Sequence, residues 1–564
     1  MLAFRMPQYF TALALLLTLG GCARMTHPPA RPFSISVFDE LTPLYPDSPP
    51  AKESKRPFVL STPRGALAGC SLLLHDLPAS GTLQFTVLDL SIFFPSPRLY
   101  QLLDVPVEIN TGLESRTEKF DGRKNPYVIR RAPFRIFEVL RPVSSEVEIT
   151  SSTMALAVQF PIPREVPLGR HELKVRIAVN DRQVEKSLRL EVFPPIVPPI
   201  GRNSLCYTNW FSPDKIARSH GVELWSEEFW AMLDKYAALM AQGRQNTFLL
   251  PLKVLIDRKD GQSVLNTIRA ERFVNTFIRR GIYYVECGHL AGRAGGDWNA
   301  ADLEVNLSGK LLSSPEGRRD LIQNLRLIRT FIEDHSLQKH WIQHIMDEPE
   351  NLQIEKYRGI ASLVREYLPD IPILDATISR EITGSIDIWC PTVDQYQLHR
   401  EFFDARKDAG DRVWVYTCLN PGGPWINRLL DQERLRPVYV GWGAARYGNP
   451  GFLHWGLNHY GPDPFKQSVI DHPEAPGTNN QLPAGDTHIV YPGPDGPWSS
   501  TRFEAHRIGL EDCELLRYLQ RVNPDKAGEI IAEVFTSYKE YSKSVKAYRA
   551  TRRHLLEALS GEMK

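Results

Sequence analysis

The sequence predicts two parts, an N-terminal antiparallel β-sandwich followed by a (β/α)8 barrel of the TIM type. Residues 57–195 consist of short β-type runs separated by turn residues, without helical periodicity. Strand-like and helix-like segments then alternate between residues 204 and 457, which gives eight candidate strands. A proline-rich stretch at 194–199 is typical of a stiff junction between the two parts.

The first 22 residues are typical of an export signal. Arg5 precedes the apolar run FTALALLLTL, which is much shorter than the ~20 residues needed to span a bilayer. Leu19-Gly20-Gly21-Cys22 resembles the bacterial lipobox, whose cysteine becomes lipid-modified; an ordinary cleaved signal with a chance cysteine is the alternative. We therefore expect a cell-envelope protein that is held to the membrane only through a lipid on Cys22. Ala23 does not resemble an inner-membrane retention signal, so the outer membrane or cell surface is favoured.

The N-terminal part is predicted to begin with a tether. Residues 23–56 are rich in Pro, Ser and Lys, which is typical of an extended linker. The sandwich is then predicted over 57–198. Its strand-like runs are SLLLHDL, LQFTVLDLSIFF, PVEIN, YVIRR, MALAVQF, HELKVRIAV and KSLRLEVF.

The barrel is predicted over residues 199–525, followed by a C-terminal helical segment over 526–564. Its first long helix, 226–242, starts with a capping serine and ends at Gly243. The strands are LCYTNW, TFLLPL, IYYVEC, HWIQHIM, IPILDA, SIDIWC, RVWVYTC and FLHWGL, and further helices are expected at 268–280, 315–335, 352–367, 399–408, 425–436 and 501–520. A doubly wound open sheet competes with this fold, but no glycine-rich turn follows LCYTNW.

Composition excludes some partners and favours others. With 67 basic and 66 acidic residues the chain has no electrostatic footprint for nucleic acid or an anionic membrane surface. The cysteines after Cys22 are interpreted as small buried apolar residues rather than disulfide partners or metal ligands. All eleven tryptophans lie between Trp210 and Trp498, in the predicted barrel, and indole rings match the flat faces of sugars.

An acidic pair ends the fourth predicted barrel strand. Asp347 and Glu348 precede Pro349, which forces the chain to turn, and barrel active sites form at the carboxyl ends of strands. Two adjacent carboxyl groups cannot both ionise freely, so one of them can carry a proton at neutral pH. An acidic turn that caps the next helix is the alternative. A metal site at His344, Asp347 and Glu348 is a weaker one, because His344 falls on the opposite strand face.

Two segments carry a family resemblance. WIQHIMDEPE at 341–350 and GDTHIVYPGPDGPWSSTRFEAHRIGLEDCELLRYL at 485–519, together with the order of sandwich then barrel, resemble glycoside hydrolase family 123 over about residues 60–530. Cys513 departs from an aromatic residue that many relatives carry. The resemblance implies a retaining, exo-acting β-N-acetylgalactosaminidase in which the substrate's own acetamido group is the nucleophile. It implies Glu348 as general acid/base and Asp347 as the residue that holds and polarises the acetamido group.

Other candidate substrate-binding residues lie at or just past predicted strand ends. They are Asp375, Asp394, Tyr396, Tyr416, Trp455 and Asn458, and Tyr491 is expected to close the pocket from the long loop at 458–500. The partner is a glycan or glycoconjugate, and no metal or other cofactor is expected. A glycosidase for another β-hexosaminide or a plain β-galactoside is one alternative, and a non-catalytic carbohydrate-binding lipoprotein is another.

Overall fold

A computed structural model describes residues 33–52, 56–377, 379–473 and 475–562. The predicted signal peptide, its Cys22 and the first part of the predicted tether lie outside these residues. No helix within these ranges combines the length and the apolar character needed to cross a bilayer. The chain has a multidomain, mixed α/β fold.

The N-terminal region is built almost entirely of strands, with one short helix. Its elements are β1 (Ser34–Asp39), β2 (Phe58–Arg64), β3 (Leu67–His75), β4 (Thr82–Leu88), β5 (Arg98–Val107), α1 (Glu118–Asp121), β6 (Phe134–Pro142), β7 (Glu146–Glu148), β8 (Met154–Pro161), β9 (Gly169–Val179) and β10 (Arg182–Ile196).

The C-terminal region alternates strands and helices. Its strands are β11 (Cys206–Asn209), β12 (Thr247–Leu250), β13 (Ile256–Lys259), β14 (Gln262–Leu265), β15 (Tyr284–Cys287), β16 (Ala291–Arg293), β17 (Leu303–Val305), β18 (Lys310–Leu311), β19 (Trp341–Gln343), β20 (Leu374–Ala376), β21 (Ile388–Cys390), β22 (Arg412–Val413), β23 (Val415–Tyr416), β24 (Gly451–His454), β25 (Ile470–Asp471), β26 (Gln481–Leu482), β27 (Tyr491–Gly493) and β28 (Gly496–Ser500). Its helices are α2 (Pro213–His220), α3 (Glu227–Gln242), α4 (Leu252–Leu255), α5 (Thr267–Ile278), α6 (Pro315–Asp334), α7 (Ile354–Tyr367), α8 (Val393–Leu398), α9 (Arg400–Asp408), α10 (Leu435–Tyr447), α11 (Thr501–Val522), α12 (Pro524–Val534) and α13 (Val545–Glu562), with 3₁₀ turns at Ala294–Gly296 and Asn351–Gln353.

Two sheets make up the N-terminal region. One is antiparallel with the order β1-β3-β8-β5-β6-β28-β27, and the other has the order β2-β10-β9-β4-β7, in which β2 and β10 run parallel. Apolar side chains of both sheets, such as Leu72 and Leu156 of the first and Phe85 and Val175 of the second, belong to one buried core. Burial of this shared apolar face holds the two sheets together.

Parallel strands form the centre of the C-terminal region. They pair in the groups β11-β24-β23, β12-β15-β19 and β20-β21-β22. Single parallel bridges, Gln343 with Ile373 and Thr392 with Tyr416, connect chain at the ends of neighbouring groups. The amide of Asn246 also donates to the carbonyl oxygen of Tyr207 at 3.2 Å, which brings β12 next to β11. The carboxyl ends of these strands therefore share one edge.

The helix over residues 226–242 forms as its sequence predicts. The Ser226 hydroxyl accepts a hydrogen bond from the amide of Phe229, and the apolar face of α3 is buried. A helix predicted over 425–436 is wrong, because the helix in this part of the chain is α10, which begins at Leu435. This helix is buried on nearly all sides and lacks the polar face that would mark its position in the sequence.

Three further expectations about the chain are corrected. Residues 33–52 of the predicted tether are not a linker, because β1 pairs with β3 along its whole length. YVIRR, at 127–131, forms no strand. The loop at 458–500 is structured, since β28 pairs with β6 and extends an N-terminal sheet. The two regions therefore share a sheet across the predicted boundary at 198.

Candidate active site

The acidic pair lies in a turn after β19. Glu348 has a left-handed backbone, with φ at +46°, and Pro349 follows it. A residue before proline is normally excluded from helical φ and ψ, and a non-glycine residue with positive φ carries strain. This backbone separates the chain from regular strand geometry at the point where the two carboxylates emerge.

Arg293, the last residue of β16, fixes this turn. Its guanidinium donates through Nη1 to the carbonyl oxygen of Asp347 at 3.1 Å and through Nη2 to that of Glu348 at 2.6 Å. The indole ring of Trp298 covers the guanidinium, with Cζ 3.8 Å from the ring centroid. Arg293, which packs against Trp298, thus holds the strained turn in place through the carbonyl oxygens of Asp347 and Glu348.

A cavity of about 600 Å³ opens beside Glu348. Its size falls within the ~300–1,000 Å³ typical of ligand sites. The hydroxyl of Tyr416, at the end of β23, donates to Glu348 Oε1. The cavity is lined by residues from both regions, namely Arg116, Trp298, Glu348, Glu350, Thr377, Thr392, Asp394, Gln395, Tyr416, Cys418, Leu419, Asn420, His472, Ala475 and Asn480. Asp347 is not on this wall and keeps solvent contact next to it.

Both carboxyl groups of the pair have raised pKa values. The surrounding protein atoms and then the negative charge of Glu348 raise the pKa of Asp347 to about 7. Removal from water raises the pKa of Glu348, and the hydrogen bond from Tyr416 offsets part of that rise. The pair therefore holds a proton near neutral pH, as a general acid requires.

A buried histidine cation lies behind the pair. His344 bonds through Nδ1 to Asp375 Oδ1 at 2.8 Å and through Nε2 to Glu286 Oε1 at 2.6 Å, and its side chain is fully buried. Burial lowers its pKa, but the hydrogen bonds to both carboxylates outweigh this and raise the pKa to about 10. His344 is therefore an imidazolium, and its charge favours the ionised form of Asp347.

The same histidine belongs to the group that most resembles a metal site. Ligand atoms of His289, His344 and Asp375 lie within 4.8 Å of one another. Both ring nitrogens of His344 are already bonded to carboxylates, and a metal ligand must be a neutral imidazole. The donor set fits a proton held between two carboxylates better than it fits a cation.

Four sequence-predicted substrate contacts are corrected by their burial. Asp375 accepts from His344, from the Tyr357 hydroxyl at 2.8 Å and from the amide of Ile345, so both its oxygens are satisfied inside the protein. Asn458 bonds both backbone groups of Ser212, at 2.9 and 3.2 Å. Neither side chain has any exposed surface.

The other two corrected residues are tyrosines. Tyr396 is buried on α8, where its hydroxyl accepts from Lys407 Nζ at 2.9 Å and its ring packs against Phe403. Tyr491 is buried in β27 against Phe465, within the joined sheet rather than over the cavity. Their positions near strand ends were predicted, but their side chains point into the core.

The remaining candidates stay compatible with a binding role. Tyr416 and Asp394 line the cavity, and Asp394 Oδ1 is buried without a described hydrogen-bond partner. Trp455 is half-buried, and its indole Nε1 donates to Asp486 Oδ1 at 3.1 Å. Burial raises the pKa of Asp486 to about 7.

Several site residues were missed by sequence reasoning. Glu286 is the second-last residue of the apolar strand β15, so the argument used for Asp347 would have identified it. Arg293 and Trp298 follow the same strand in the segment GHLAGRAGGDWNA, whose glycines indicate an irregular loop. Arg116 comes from the other region, and no sequence pattern connects it to the site.

Comparison with known proteins gives this geometry its context. The family model "Glycoside hydrolase 123, catalytic domain" matches residues 210–519. A family 123 glycoside hydrolase from Clostridium perfringens, described in terms of glycolipid glycan hydrolysis, superposes with a TM-score of 0.70 at 13% identity, over 94% of this chain and 98% of that one.

Weaker structural matches follow. An FMN-binding β-glucuronidase from Facaelibacterium prausnitzii L2-6 is 9% identical, with a TM-score of 0.34 over 84% of this chain and 61% of that one, too low to indicate a common fold. No curated protein matches the sequence significantly. The family model covers more than half of the chain, and it includes the Asp347-Glu348 turn and the 485–519 segment. The chain belongs to glycoside hydrolase family 123.

Proposed function

We propose that this glycoside hydrolase removes a terminal β-linked 2-acetamido sugar, N-acetylgalactosamine, from a glycan with retention of configuration. The observation that carries the proposal is the Asp347-Glu348 pair, which combines raised pKa values with a fixed turn at the edge of a cavity. The similar Clostridium perfringens enzyme is described as acting on glycolipid glycans. We therefore favour a glycolipid or another glycoconjugate as the substrate.

In the proposed first step, the acetamido group acts as the nucleophile. Its carbonyl oxygen attacks the anomeric carbon, the bond to the leaving oxygen breaks, and Glu348 donates its proton to that oxygen. The carboxylate of Asp347 accepts a hydrogen bond from the acetamido N–H and balances the positive charge of the oxazoline intermediate. In the second step Glu348 removes a proton from water, which attacks the anomeric carbon and restores the acetamido group.

The surroundings of the pair support this division of roles. The imidazolium of His344 favours an ionised Asp347. A bound acetamido N–H would favour the same form, because hydrogen bonding to a charged form stabilises it. The shared proton then resides on Glu348, which faces the cavity and contacts Tyr416. Asp347 and Glu348 therefore act as a coupled pair rather than as two independent acids.

A second candidate is a glycosidase that forms a covalent intermediate on the protein. Asp394 lines the same cavity, so its carboxylate is the candidate nucleophile for such a reaction. Such an enzyme would accept a plain β-galactoside, because it would not need the acetamido group. Its reaction is distinguished from the first by an oxazoline mimic.

The test compares Glu348→Gln with Asp347→Asn on substrates of graded leaving group. Glu348→Gln should lower kcat/KM most for alkyl and sugar aglycones, by roughly 10²–10⁴-fold, because these need protonation to depart. Asp347→Asn should slow all 2-acetamido substrates to a similar degree. Glu333→Gln, on an exposed face of α6 away from the cavity, serves as a control that should leave the leaving-group dependence unchanged.

An oxazoline-mimicking thiazoline completes this test. It should inhibit the wild-type enzyme and bind Asp347→Asn more weakly. Near-wild-type rates in both variants would reject the catalytic assignment. Loss of activity in both without any inhibition by the thiazoline would instead favour the covalent mechanism.

We also propose that the chain is attached to the cell envelope through a lipid on Cys22. The support is the apolar run at 10–19 and the lipobox-like Leu19-Gly20-Gly21-Cys22. Changing Cys22 to Ala should abolish metabolic labelling with a fatty acid and release the protein from the membrane fraction. Ser34→Ala is a control that lies within the folded part. Unchanged lipid labelling of Cys22→Ala would exclude this anchor.

We infer in addition that the parallel strands close as a (β/α)8 barrel and that the two N-terminal sheets form a β-sandwich. The order of the strand pairs and the bridges between their groups support the first inference. The shared apolar core supports the second. An experimental structure with an open gap between β11 and β12 would contradict the barrel.

A further inference from the structure

Arg116 contributes a cation from the N-terminal region to the wall of the active-site cavity. It lies in the connection between β5 and β6, yet it lines the same cavity as Glu348. Every other residue on that wall comes from beyond residue 297. The β5–β6 connection therefore completes the cavity from outside the family's catalytic domain.

This connection is firmly attached to the C-terminal region. The buried carboxylate of Asp431 accepts from Asn110 Nδ2 at 3.0 Å, from the amide of Thr111 at 2.8 Å and from its hydroxyl at 2.7 Å. The amide of Gly422 donates to the carbonyl oxygen of Glu114 at 2.6 Å. The charge-assisted hydrogen bonds to Asp431 make the connection a fixed part of the cavity wall.

The position of Arg116 itself is also fixed. Its backbone has φ at +57°, and its amide donates to the carbonyl oxygen of Leu419 at 3.3 Å. The guanidinium donates through Nε to Asn480 Oδ1 at 2.6 Å and through Nη1 to Ser115 Oγ at 3.2 Å. Its Cζ lies 4.5 Å from the centroid of the Phe120 ring.

All of these partners are electrically neutral. Among the residues that the structure describes, Arg116 forms no ion pair, whereas the nearby Arg123 pairs with Glu114. The acidic side chains of the cavity wall belong to the C-terminal region. Glu348 follows β19, and Asp394 follows β21. An arginine held in place by neutral partners on a cavity wall is suited to bind a carboxylate or a sulfate.

We propose that Arg116 binds an anionic group of the substrate, a carboxylate or a sulfate, on the leaving-group side of the cleaved bond. This rests on the proposed function, in which Glu348 protonates the leaving oxygen and Asp347 holds the cleaved sugar. The cavity includes Glu348 but not Asp347, so it extends from the leaving-group side. The enzyme then prefers glycans whose second sugar is acidic.

Binding to a Glu348→Gln background tests this without turnover. Three 2-acetamido-β-hexosyl disaccharides are compared by calorimetry, with a second sugar that is neutral, bears a carboxylate or bears a sulfate. The background protein should bind at least one acidic disaccharide more tightly than the neutral one. Adding Arg116→Gln should lower the acidic-to-neutral affinity ratio by roughly 10- to 100-fold, the range for a hydrogen bond to a charged group.

Two further variants make the result specific. Arg116→Lys should retain part of the preference, because the charge remains and the planar fork is lost. Arg123→Gln removes an equal charge within the same connection, away from the cavity, and should leave the ratio unchanged. Equal ratios for Arg116→Gln and Arg123→Gln, or no preference for either anion in the background protein, would overturn the inference. If the background protein prefers an acidic disaccharide but the wild-type enzyme cleaves no 2-acetamido glycoside, the proposed function is rejected and the inference about Arg116 is not.

Discussion

At the residue scale, opposing influences set the protonation of the acidic pair. The surrounding protein atoms raise both pKa values, and the charge of Glu348 adds to the rise for Asp347. The His344 cation stabilises the ionised form of Asp347, and the Tyr416 hydroxyl stabilises that of Glu348. If His344 were neutral, the site would contain a net excess of negative charge from the flanking Glu286 and Asp375. The histidine is therefore a positioning residue that keeps Asp347 available as an acceptor.

The raised pKa values predict how activity depends on pH. A raised pKa of Glu348 means that the proton needed for catalysis is present below that pKa and is lost as the pH rises through it. For a sugar aglycone, kcat/KM should fall about tenfold per pH unit above this point. For a nitrophenyl aglycone the fall should be shallower, because a good leaving group needs little protonation.

A variant of Tyr416 tests which group is responsible for this pH dependence. Its hydrogen bond favours the ionised form of Glu348, so Tyr416→Phe should move the alkaline limb of kcat/KM to higher pH. Lys407→Met, away from the cavity, should leave that limb in place. A limb at the same pH in the Tyr416→Phe variant would contradict the assignment of the titrating group to Glu348.

The sequence predicts the position of a residue along a strand better than the direction of its side chain. Asp347 and Glu348 were predicted to lie at the edge of a parallel sheet because they follow a strand and precede a proline, and they do lie in a turn after β19. The same rule wrongly selected Tyr396 and Asn458, since it gives the position of a residue along a strand but not the direction of its side chain. Arg116 reaches the site only through the packing of two regions, which no local pattern encodes.

At the scale of elements, regular periodicity separates the correct predictions from the wrong ones. The apolar runs of the parallel strands are bounded by turn residues, and each of the eight runs contains an observed strand. Helix α10 was misplaced because it is buried all around. It packs so closely against α11 that a Cβ atom on Gly441 would lie 1.9 Å from the carbonyl oxygen of Gly509. Its glycines serve close packing, although glycine disfavours helices elsewhere.

Elements that pair over long sequence distances were also missed. β28 joins β6 across more than 350 residues of chain, so its partner could not be read from nearby residues. β1 has the length and composition of a strand, but the Pro and Ser around it indicated a linker. Both strands acquire their structure from a sheet that already exists, and neither contains enough apolar surface to predict it alone.

At the scale of the whole molecule, the two regions are connected by buried charge as well as by a shared sheet. Glu138, on β6, accepts from Arg502 Nε at 2.6 Å, from Arg434 Nη2 at 3.2 Å and from the Thr501 hydroxyl. Arg502 in turn donates to the carbonyl oxygens of Gly485, at 2.6 Å, and His488, at 3.0 Å. One carboxylate of the N-terminal region therefore helps to position the 485–488 segment of the C-terminal region.

This arrangement predicts a large effect from a small change. Glu138→Gln leaves two fully buried guanidinium groups without a compensating charge and should lower the free energy of unfolding by roughly 3–5 kcal/mol. The double variant Glu138→Gln/Arg434→Met should lose less stability than the sum of the losses of the two single variants, because it removes one uncompensated cation.

Glu333→Gln, at an exposed pair with Arg329, is the matched control and should have little effect on stability. Denaturant unfolding followed by tryptophan fluorescence compares these four variants with the wild-type protein. Since all eleven tryptophans lie in the C-terminal region, a lowered midpoint in this signal would show that the N-terminal carboxylate stabilises the catalytic part of the chain. A midpoint for Glu138→Gln equal to that of Glu333→Gln would mean that the shared sheet alone holds the two regions together.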